Sequence, residues 1–328
     1  MFETSLTNKR IAKNTLLLYF RMIFMMLVSL YTSRVILEAL GVEDFGVYNV
    51  VGGVVSMFGF LNSAMSSSTQ RYITFELGRG VMSEQQKVFT TSVQIHMFIA
   101  LIVVLLGETV GLWFLENKMV IDQSRHSAAF WVFQCSVLTM AVSIISVPYN
   151  AIIIAHEKMS AFAYISVVEV VLKLCIVFLL LVTPFDKLIF YAVLLLVVQL
   201  MVRVIYGSYC NRHFKETKLR CIWDKSMFKE MMGFAGWNLI GNCASILSTQ
   251  GVNILLNIFF GPTVNAARGV AVQVQNAVLQ FSQNFQTALN PQITKNYAKG
   301  DREAMYKLII RSSRFSFFLL FFFLCPFF

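Results

Sequence analysis

Long apolar stretches separated by short polar turns recur along the whole chain, and their lengths suit helices that cross a bilayer. We predict nine such spans, near residues 14–40, 45–70, 88–115, 127–153, 160–183, 187–209, 232–259, 263–290 and 308–328. The second and eighth spans are more polar than the rest, because they are rich in Ser, Asn and Gln. The longest connection, Cys210 to Met231, is basic and partly amphipathic, which predicts a surface helix.

The composition supports this assignment. The 328 residues are 57% hydrophobic and only 13% charged, whereas a soluble domain has about 25% charged residues. The first apolar run is too long for the core of a signal peptide, and no small-residue cleavage site follows it. We therefore predict an all-α polytopic membrane protein that keeps its first helix.

The distribution of Lys and Arg predicts the orientation of the spans. If the N-terminus is inside, seventeen basic residues fall in inner segments: Lys9, Arg10, Lys13, Arg71, Arg79, Lys87, Lys158, Arg212, Lys215, Lys218, Arg220, Lys225, Lys229, Lys295, Lys299, Arg302 and Lys307. Three fall in outer loops, namely Lys118, Arg125 and Lys187. Basic residues concentrate on the cytoplasmic side of membrane proteins. The net charge of +10 thus reflects topology and anionic lipid headgroups rather than nucleic-acid binding.

A weak internal repeat relates the second span to the eighth. A shift of 220 residues aligns Gly41 with Gly261, Gly80 with Gly300 and two Ile-Thr pairs, and it aligns Val50, Val54 and Lys87 with identical residues. The eighth span comes six positions after the second, so both have the same orientation, which is a parallel repeat. We predict two six-helix lobes across a central cavity: an N-lobe at 1–210, a basic linker helix at 211–231 and a C-lobe from 232 to 328. Since that C-lobe has three helices, we expect the chain to be part of a longer transporter.

Polar residues recur at helical spacing on the predicted spans. Residues seven apart lie nearly on one face of a helix. The candidate cavity-lining residues are Asn49, Ser56, Ser63, Gln70, Asn242, Asn276 and Gln283. Such side chains either hydrogen-bond across helix contacts or face water. A stripe that spans the membrane in both halves favours a water-filled cavity.

Cations outnumber acids within the predicted spans. Arg21 lies seven residues past Asn14, about 10 Å into the membrane at about 1.5 Å per residue. It can extend back to the headgroups or hold an anion between the lobes. Lys173 follows Glu169 by four residues, so the two can form a structural ion pair. Arg268 has no acidic neighbour at helical spacing. These three cations, Arg21, Lys173 and Arg268, are candidate ligands for a negatively charged substrate, and pyrophosphate suits arginine.

Several segments together resemble the polysaccharide and O-antigen flippases, which belong to the superfamily of multidrug, oligosaccharidyl-lipid and polysaccharide exporters. The similar segments are NKRIAKNTLLLYFRMIF, LEALGVEDFGVYNVVGGVVSMFGFLNSAMSSSTQRYITFELGRG, SVPYNAIIIAHEKM and GFAGWNLIGNCAS. The resemblance covers residues 9–328. Its motifs are diffuse, so it indicates the superfamily better than the substrate.

This resemblance implies two six-helix bundles that alternate access across the bacterial inner membrane. The implied substrate is a polyprenyl-pyrophosphate-linked oligosaccharide, moved for surface polysaccharide biosynthesis such as that of lipopolysaccharide O-antigen, with membrane lipids and other polysaccharide assembly proteins as partners. Flippases of this kind resemble one another in having cavity arginines, one of them on the first helix. Arg21 matches that position, followed by Arg268 and Lys173. Helices ten to twelve have no counterpart in this sequence, which leaves any site residue they contribute unseen.

Two other functions remain open at this stage. A drug exporter of the same superfamily, driven by sodium or protons, would use an acidic residue deep in the N-lobe, and no Asp lies within a predicted span. Glu108 and Glu169 stay available for that role. A membrane enzyme of polysaccharide assembly would need reactive residues in outer loops, which here are short. Six cysteines and four histidines show no metal-ligand spacing, so we expect no enzyme activity, no metal and no cofactor; coupling to Na⁺ or H⁺ is left open.

Overall fold

Helices make up nearly all of the chain in the computed structural model, which describes residues 2–56, 59–119, 121–218 and 224–324. At some further positions inside helices only the backbone is described. In chain order the α-helices are α1 (Phe2–Ser56), α2 (Gly59–Arg79), α3 (Met82–Leu106), α4 (Leu112–Asn117), α5 (His126–Ala155), α6 (Met159–Val182), α7 (Lys187–His213), α8 (Lys225–Ala298) and α9 (Arg302–Leu324). None of the described residues forms a strand. The predicted all-α fold is confirmed, and it suits lipid because each helix satisfies its own backbone hydrogen bonds.

Five helical segments in the described part are long and apolar enough to span a membrane. They are Ile11–Gly53, Met82–Asn117, Gln123–Ala155, Met159–Val182 and Lys187–His213. The second of these is continuous because a π-helical turn, Gly107–Gly111, joins α3 to α4. The other predicted spans fall on α2, α8 and α9, which carry more Ser, Asn, Gln and Arg. The protein is therefore a multi-pass membrane protein.

The first and second predicted spans meet at a sharp bend inside α1. Gly41 has φ 80° and ψ 169°, a conformation that breaks the helix. Only glycine adopts this backbone region without strain, because any Cβ would crowd the adjacent backbone. Asp44, three residues after the bend, accepts hydrogen bonds from Arg125, and Arg125 Nη1 also donates to Asp186 Oδ2 at 2.7 Å. The bend, the start of α5 and the start of α7 are thus joined at one end of the bundle.

The long helix α8 must reverse direction along its length. Phe234, near its start, packs on Tyr72 of α2, with ring centroids 5.9 Å apart. Tyr297, near its end, packs on Phe75 of the same helix, at 6.2 Å. A straight helix would separate Phe234 from Tyr297 by about 95 Å at about 1.5 Å per residue. Two antiparallel segments, corresponding to the seventh and eighth predicted spans, therefore make up α8.

The bundle has a basic end, defined here by the start of α1, the end of α2, the α5–α6 turn and the end of α8. At this end His156 Nε2 contacts Glu216 Oε1, and the imidazole stacks on Phe214 at 4.2 Å. Burial alone would raise the pKa of the Glu216 carboxyl, but the His156 contact and a backbone hydrogen bond lower it below its ordinary value. This contact anchors the connection predicted at 211–231, in which α7 ends at His213, a 3₁₀ turn covers Lys215–Thr217 and α8 begins at Lys225. Residues 219–223 lie outside the described part.

The bend at Gly41 generates a prediction about stability. Replacing Gly41 with Ala places a Cβ in a backbone region that other residues avoid, which costs about 1–3 kcal/mol. We expect a lower free energy of unfolding, measured by chemical denaturation in detergent micelles. Beyond the adjacent stretch of its own chain, no described atom lies within 4 Å of a Cβ built at Gly41, so the loss would come from backbone strain.

Gly46, five residues further along α1, is the matched control. It also has open space around a built Cβ, and its φ is not positive. Gly46→Ala should leave stability unchanged or raise it by about 0.5–1 kcal/mol, because alanine favours helix. Equal effects of the two substitutions would show that the bend does not depend on glycine.

Candidate functional site

Arg21 lies on a face of α1 that packs against the start of α6. Two residues of this face precede it: Asn14 Nδ2 donates to the backbone oxygen of Glu157 at 3.3 Å, and Leu18 is fully buried in a cluster that includes Met159. One turn further on, the Arg21 guanidinium carbon lies 4.4 Å from the centroid of the Phe162 ring. A cation over an aromatic face is stabilised by the ring quadrupole. The Arg21 side chain therefore lies between the helices α1, α6 and α7.

Polar groups surround the Arg21 guanidinium but do not satisfy all of its hydrogen-bond donors. Glu169 of α6 and Tyr206 of α7 lie close enough to interact with it electrostatically. The buried Tyr206 hydroxyl hydrogen-bonds with Ser166. The Nε atom of Arg21 is buried and has no hydrogen-bond partner among the described residues. A buried N–H without an acceptor costs free energy, and an anionic oxygen would remove that cost.

Lys173 joins the same group through a shared carboxylate. Its Nζ donates to Glu169 Oε1 at 2.6 Å. The Lys173 side chain is 44% exposed and that of Glu169 is 24% exposed, so both are accessible from outside the packed core. Two cations, Arg21 and Lys173, thus share one acid, which leaves the group with a net charge of +1. We call Arg21, Phe162, Glu169, Lys173 and Tyr206 the cation cluster.

The third predicted cation lies elsewhere. Arg268 belongs to α8, is half-buried, and has an Nη1 atom that is buried without a hydrogen-bond partner. No contact among the described residues connects it to the cation cluster. The structure thus brings together two of the three predicted cations, Arg21 and Lys173, and places Arg268 on the other set of helices.

The predicted polar stripe is only partly buried. Asn49, Asn276 and Gln283 are exposed, whereas Gln70 and Asn242 are half-buried; the side chains of Ser56 and Ser63 lie outside the described part. The amide of Asn49 donates to the backbone oxygen of Phe45 in its own helix, at 2.9 Å. The stripe is thus compatible with a wet surface, and its role in lining a cavity stays a prediction.

A buried carboxylate connects the two sets of helices at the basic end. Glu157 lies in the turn between α5 and α6, where its φ of 59° is unusual for a residue other than glycine. Its side chain is 2% exposed and contacts Lys295 of α8, with Nζ–Oε1 at 2.8 Å. Gln292 Nε2 donates to its second oxygen at 2.5 Å. Removing one member of a buried ion pair strands the other charge, so this contact should hold α8 against α1–α7.

Close backbone packing adds to this closure. A Cβ built on Gly78 of α2 would lie 2.6 Å from the Ala298 Cβ of α8. These two residues are 220 positions apart and are equivalent in the internal repeat. The repeat also appears in the backbone, because Gly80 and Gly300 both have φ 78°. Equivalent residues touch only near the axis that relates the two copies, so the lobes meet at the basic end near that axis.

Comparison with known families identifies the family to which the chain belongs. The family model described as "Polysaccharide biosynthesis protein" matches residues 11–297. The chain belongs to this polysaccharide biosynthesis family. A comparison with curated protein sequences finds no match.

Solved structures show which fold this family member has. A structure described as "Crystal structure of MATE in complex with MaD3S" aligns with a TM-score of 0.81 and 11% identity, covering 95% of this chain and 71% of the other. A structure described as "Outward-facing conformation of a multidrug resistance MATE family transporter of the MOP superfamily" aligns with a TM-score of 0.77 and 12% identity, covering 95% of this chain and 70% of the other. A MOP superfamily transporter from Pyrococcus furiosus aligns with a TM-score of 0.74 and 13% identity, covering 95% of this chain and 70% of the other. At these identities the likeness shows the fold, which is that of the MOP superfamily transporters.

The family and the fold confirm the resemblance: the chain belongs to the polysaccharide biosynthesis family and has the fold of MOP superfamily transporters. Within the described residues, no group of three or more His, Cys, Asp or Glu side chains is arranged to hold a metal ion.

Phe162, Ser166, Tyr206 and Glu157 were not predicted from sequence as part of a site. Phe162 and Ser166 precede the predicted Glu169–Lys173 pair by spacings of four and three residues, so a common face of α6 was detectable. Tyr206 and Glu157 had no such signal, because their partners lie on other helices. The closure through Glu157 and Lys295 joins residues 138 positions apart.

The closure at the basic end can be tested by chemical labelling. Glu157→Gln removes the charge that pairs with Lys295, and we expect the lobes to separate more often at this end. Ala288, 1% exposed in the cluster with Leu18, would be replaced by Cys in a chain without its native cysteines. Its maleimide labelling rate should rise about tenfold or more, since a charged hydrogen bond contributes about 1.5–3 kcal/mol.

Glu303→Gln is the control for this measurement. Glu303 pairs with Lys307 within α9, and both side chains are largely exposed, so the same charge change should leave labelling at Ala288→Cys unaltered. An unchanged rate in Glu157→Gln would exclude the ion pair as a determinant of closure.

Proposed function

We propose that the protein is a flippase for a polyprenyl-pyrophosphate-linked oligosaccharide in surface polysaccharide biosynthesis, such as that of lipopolysaccharide O-antigen. It would work in the bacterial inner membrane and move the lipid-linked substrate from the cytoplasmic to the periplasmic leaflet. The family assignment supports a role in polysaccharide biosynthesis. The MOP-type fold supports transport across a membrane.

The observation that carries this proposal is the unsaturated charge at Arg21. A guanidinium about 10 Å along a spanning helix retains a buried N–H without an acceptor. The cluster around it has one more cation than acid. Pyrophosphate offers dense charge and paired oxygens, which match the planar donors of arginine. The anionic head of a lipid-linked sugar therefore fits this site better than a neutral or cationic molecule.

The contacts between lobes support alternating access. With the two lobes in contact at the basic end, the cavity between them would open at the opposite end. The positive-inside rule assigns the basic end, and with it the N-terminus, to the cytoplasm. We propose that the structure represents a state closed to the cytoplasm, and that release of the Glu157–Lys295 contact exposes the substrate path to the inner leaflet. Other polysaccharide assembly proteins would supply the loaded lipid.

A cation-coupled drug exporter is the second candidate function, because two of the similar structures described above are MATE transporters. A cationic drug would meet net positive charge at the cation cluster. The membrane acid Glu108 accepts a hydrogen bond from Gln134 at 3.0 Å, and Glu169 is already paired with Lys173. Within the described residues, the charge balance therefore favours an anionic substrate.

Substitution of Arg21 tests the flippase proposal. In cells that depend on this protein for surface polysaccharide, Arg21→Ala should cause lipid-linked oligosaccharide to accumulate on the cytoplasmic leaflet. Arg21→Lys should restore part of the transport, because it keeps the charge and loses the bidentate geometry. Losing the hydrogen bonds to a charged group, about 1.5–3 kcal/mol, predicts a decrease in flipping rate of about 10- to 100-fold with Ala.

Arg34→Ala is the matched control. Arg34 lies on the same helix and is exposed, so its loss should leave transport and membrane abundance unchanged. Normal transport by Arg21→Ala, at normal abundance, would contradict the proposal. Loss of drug efflux without accumulation of the glycolipid would favour the exporter.

A further inference from the structure

The cation cluster contains one acid, Glu169, and binding of an anion does not require it. A site that binds an anion with Arg21 and Lys173 gains nothing in affinity from a carboxylate between them. Yet Glu169 forms an ion pair with Lys173 at 2.6 Å and lies near Arg21. We propose that Glu169 is an exchangeable counter-ion: in the empty site it is bonded to Lys173 and also compensates Arg21 by its charge at a distance, and it is left to Lys173 alone when a pyrophosphate binds Arg21. This inference rests on the proposed function.

The empty site explains why an acid is needed there. Two cations inside a membrane protein repel each other and are costly to desolvate. One carboxylate placed between them lowers both costs. Because Arg21 also retains a buried N–H without an acceptor, Glu169 compensates it only by charge at a distance, which leaves that donor available to a substrate oxygen.

The geometry of α6 allows the exchange without movement of a helix. Glu169 and Lys173 are four residues apart on one helix face, so Lys173 is about 6 Å further along the axis. The Lys173 side chain is 44% exposed and is free to follow the carboxylate. Since Glu169 is already bonded to Lys173 at 2.6 Å, a rotation of the two side chains together would take the carboxylate charge away from Arg21 and keep it paired.

The consequence concerns release as well as binding. A transport site must bind its cargo strongly enough to load and weakly enough to unload. A bound pyrophosphate at Arg21 is repelled by the Glu169 charge, and the same charge replaces it when it leaves. Glu169 therefore lowers affinity and speeds release, and Lys173 sets how much of that charge acts on Arg21.

This role predicts opposite effects for two neighbouring substitutions. Glu169→Gln keeps the size of the side chain and removes the repulsion, so a pyrophosphate should bind more tightly. Lys173→Met leaves the Glu169 charge acting on Arg21 alone, so binding should weaken. The double variant Glu169→Gln/Lys173→Met should bind more tightly than Lys173→Met, because the charge that Lys173 balanced is gone.

The experiment measures binding of farnesyl pyrophosphate to the purified full chain in nanodiscs, by titration calorimetry at fixed ionic strength. We expect the Kd of Glu169→Gln to fall about fivefold and that of Lys173→Met to rise about fivefold, as for a partly exposed ion pair. Arg21→Ala should lose most binding. Farnesol, which has no charge, should bind equally to all variants.

Controls separate the charge effect from folding. Glu303→Gln removes the same charge from an exposed pair in α9 and should leave the Kd unchanged. The thermal unfolding midpoint of each variant establishes that it is folded. Glu169→Ser supplies a second loss of charge if the Gln variant is unstable, and it should also tighten binding.

The outcomes distinguish this inference from the function on which it rests. If Arg21→Ala binds farnesyl pyrophosphate as the parent does, the proposed anion site is wrong. If Arg21→Ala loses binding while Glu169→Gln binds equally or more weakly, the site stands and the counter-ion role is overturned. A purely structural Glu169–Lys173 pair would weaken binding in both single variants. Tighter binding together with slower flipping in Glu169→Gln supports the exchange.

Discussion

In hydrocarbon, a polar or charged group costs free energy unless a partner or water accompanies it. Helix α1 shows how the protein meets this constraint. Asn14 and Arg21 lie seven residues apart, and both are compensated by the α5–α6 turn and by α6 rather than by lipid. Leu18 between them is fully buried. The charged face of α1 thus determines how α1 packs on α6.

The same face of α1 brings two kinds of contact together. At the basic end, Asn14 binds the backbone of Glu157, whose side chain holds Lys295 of α8. About 10 Å further along the helix axis, Arg21 enters the cation cluster. Helix α1 therefore contacts the interface between the lobes near its start and the cation cluster further along, so it connects the two places. Movement of α1 relative to α8 would therefore change both.

The internal repeat gives the closure its geometry. Gly78 and Ala298 are equivalent positions and lie in contact, and no larger residue than glycine fits at 78 without a shift of the neighbouring backbone. The positive φ of Gly80 and Gly300 ends both helices in the same way. Close approach of small residues is how helices associate in membranes, where burial of apolar surface gives little driving force.

Local properties of the sequence determined much of this structure. The length and hydropathy of the apolar runs predicted the helices, the connection left between the first two predicted spans contains the bend at Gly41, and the shift of 220 residues predicted the equivalence of Gly80 and Gly300. The α6 pair, Glu169 with Lys173, followed from a spacing of four. All these signals lie within one or two helices, where chain geometry alone sets which residues are neighbours.

Only the tertiary structure decided what the charges contact. Leu17 and Phe24 beside Arg21 are apolar, so helical phase could not assign its side chain to lipid or protein. Its position over Phe162 depends on how α1 packs against α6, about 140 residues away in the chain. Arg268, like Arg21, was predicted from sequence to bind an anion, yet no described contact connects it to the cation cluster. The partner of Glu157 was invisible for the same reason: an ion pair between distant helices leaves no spacing pattern, because its distance is set by packing and not by the chain.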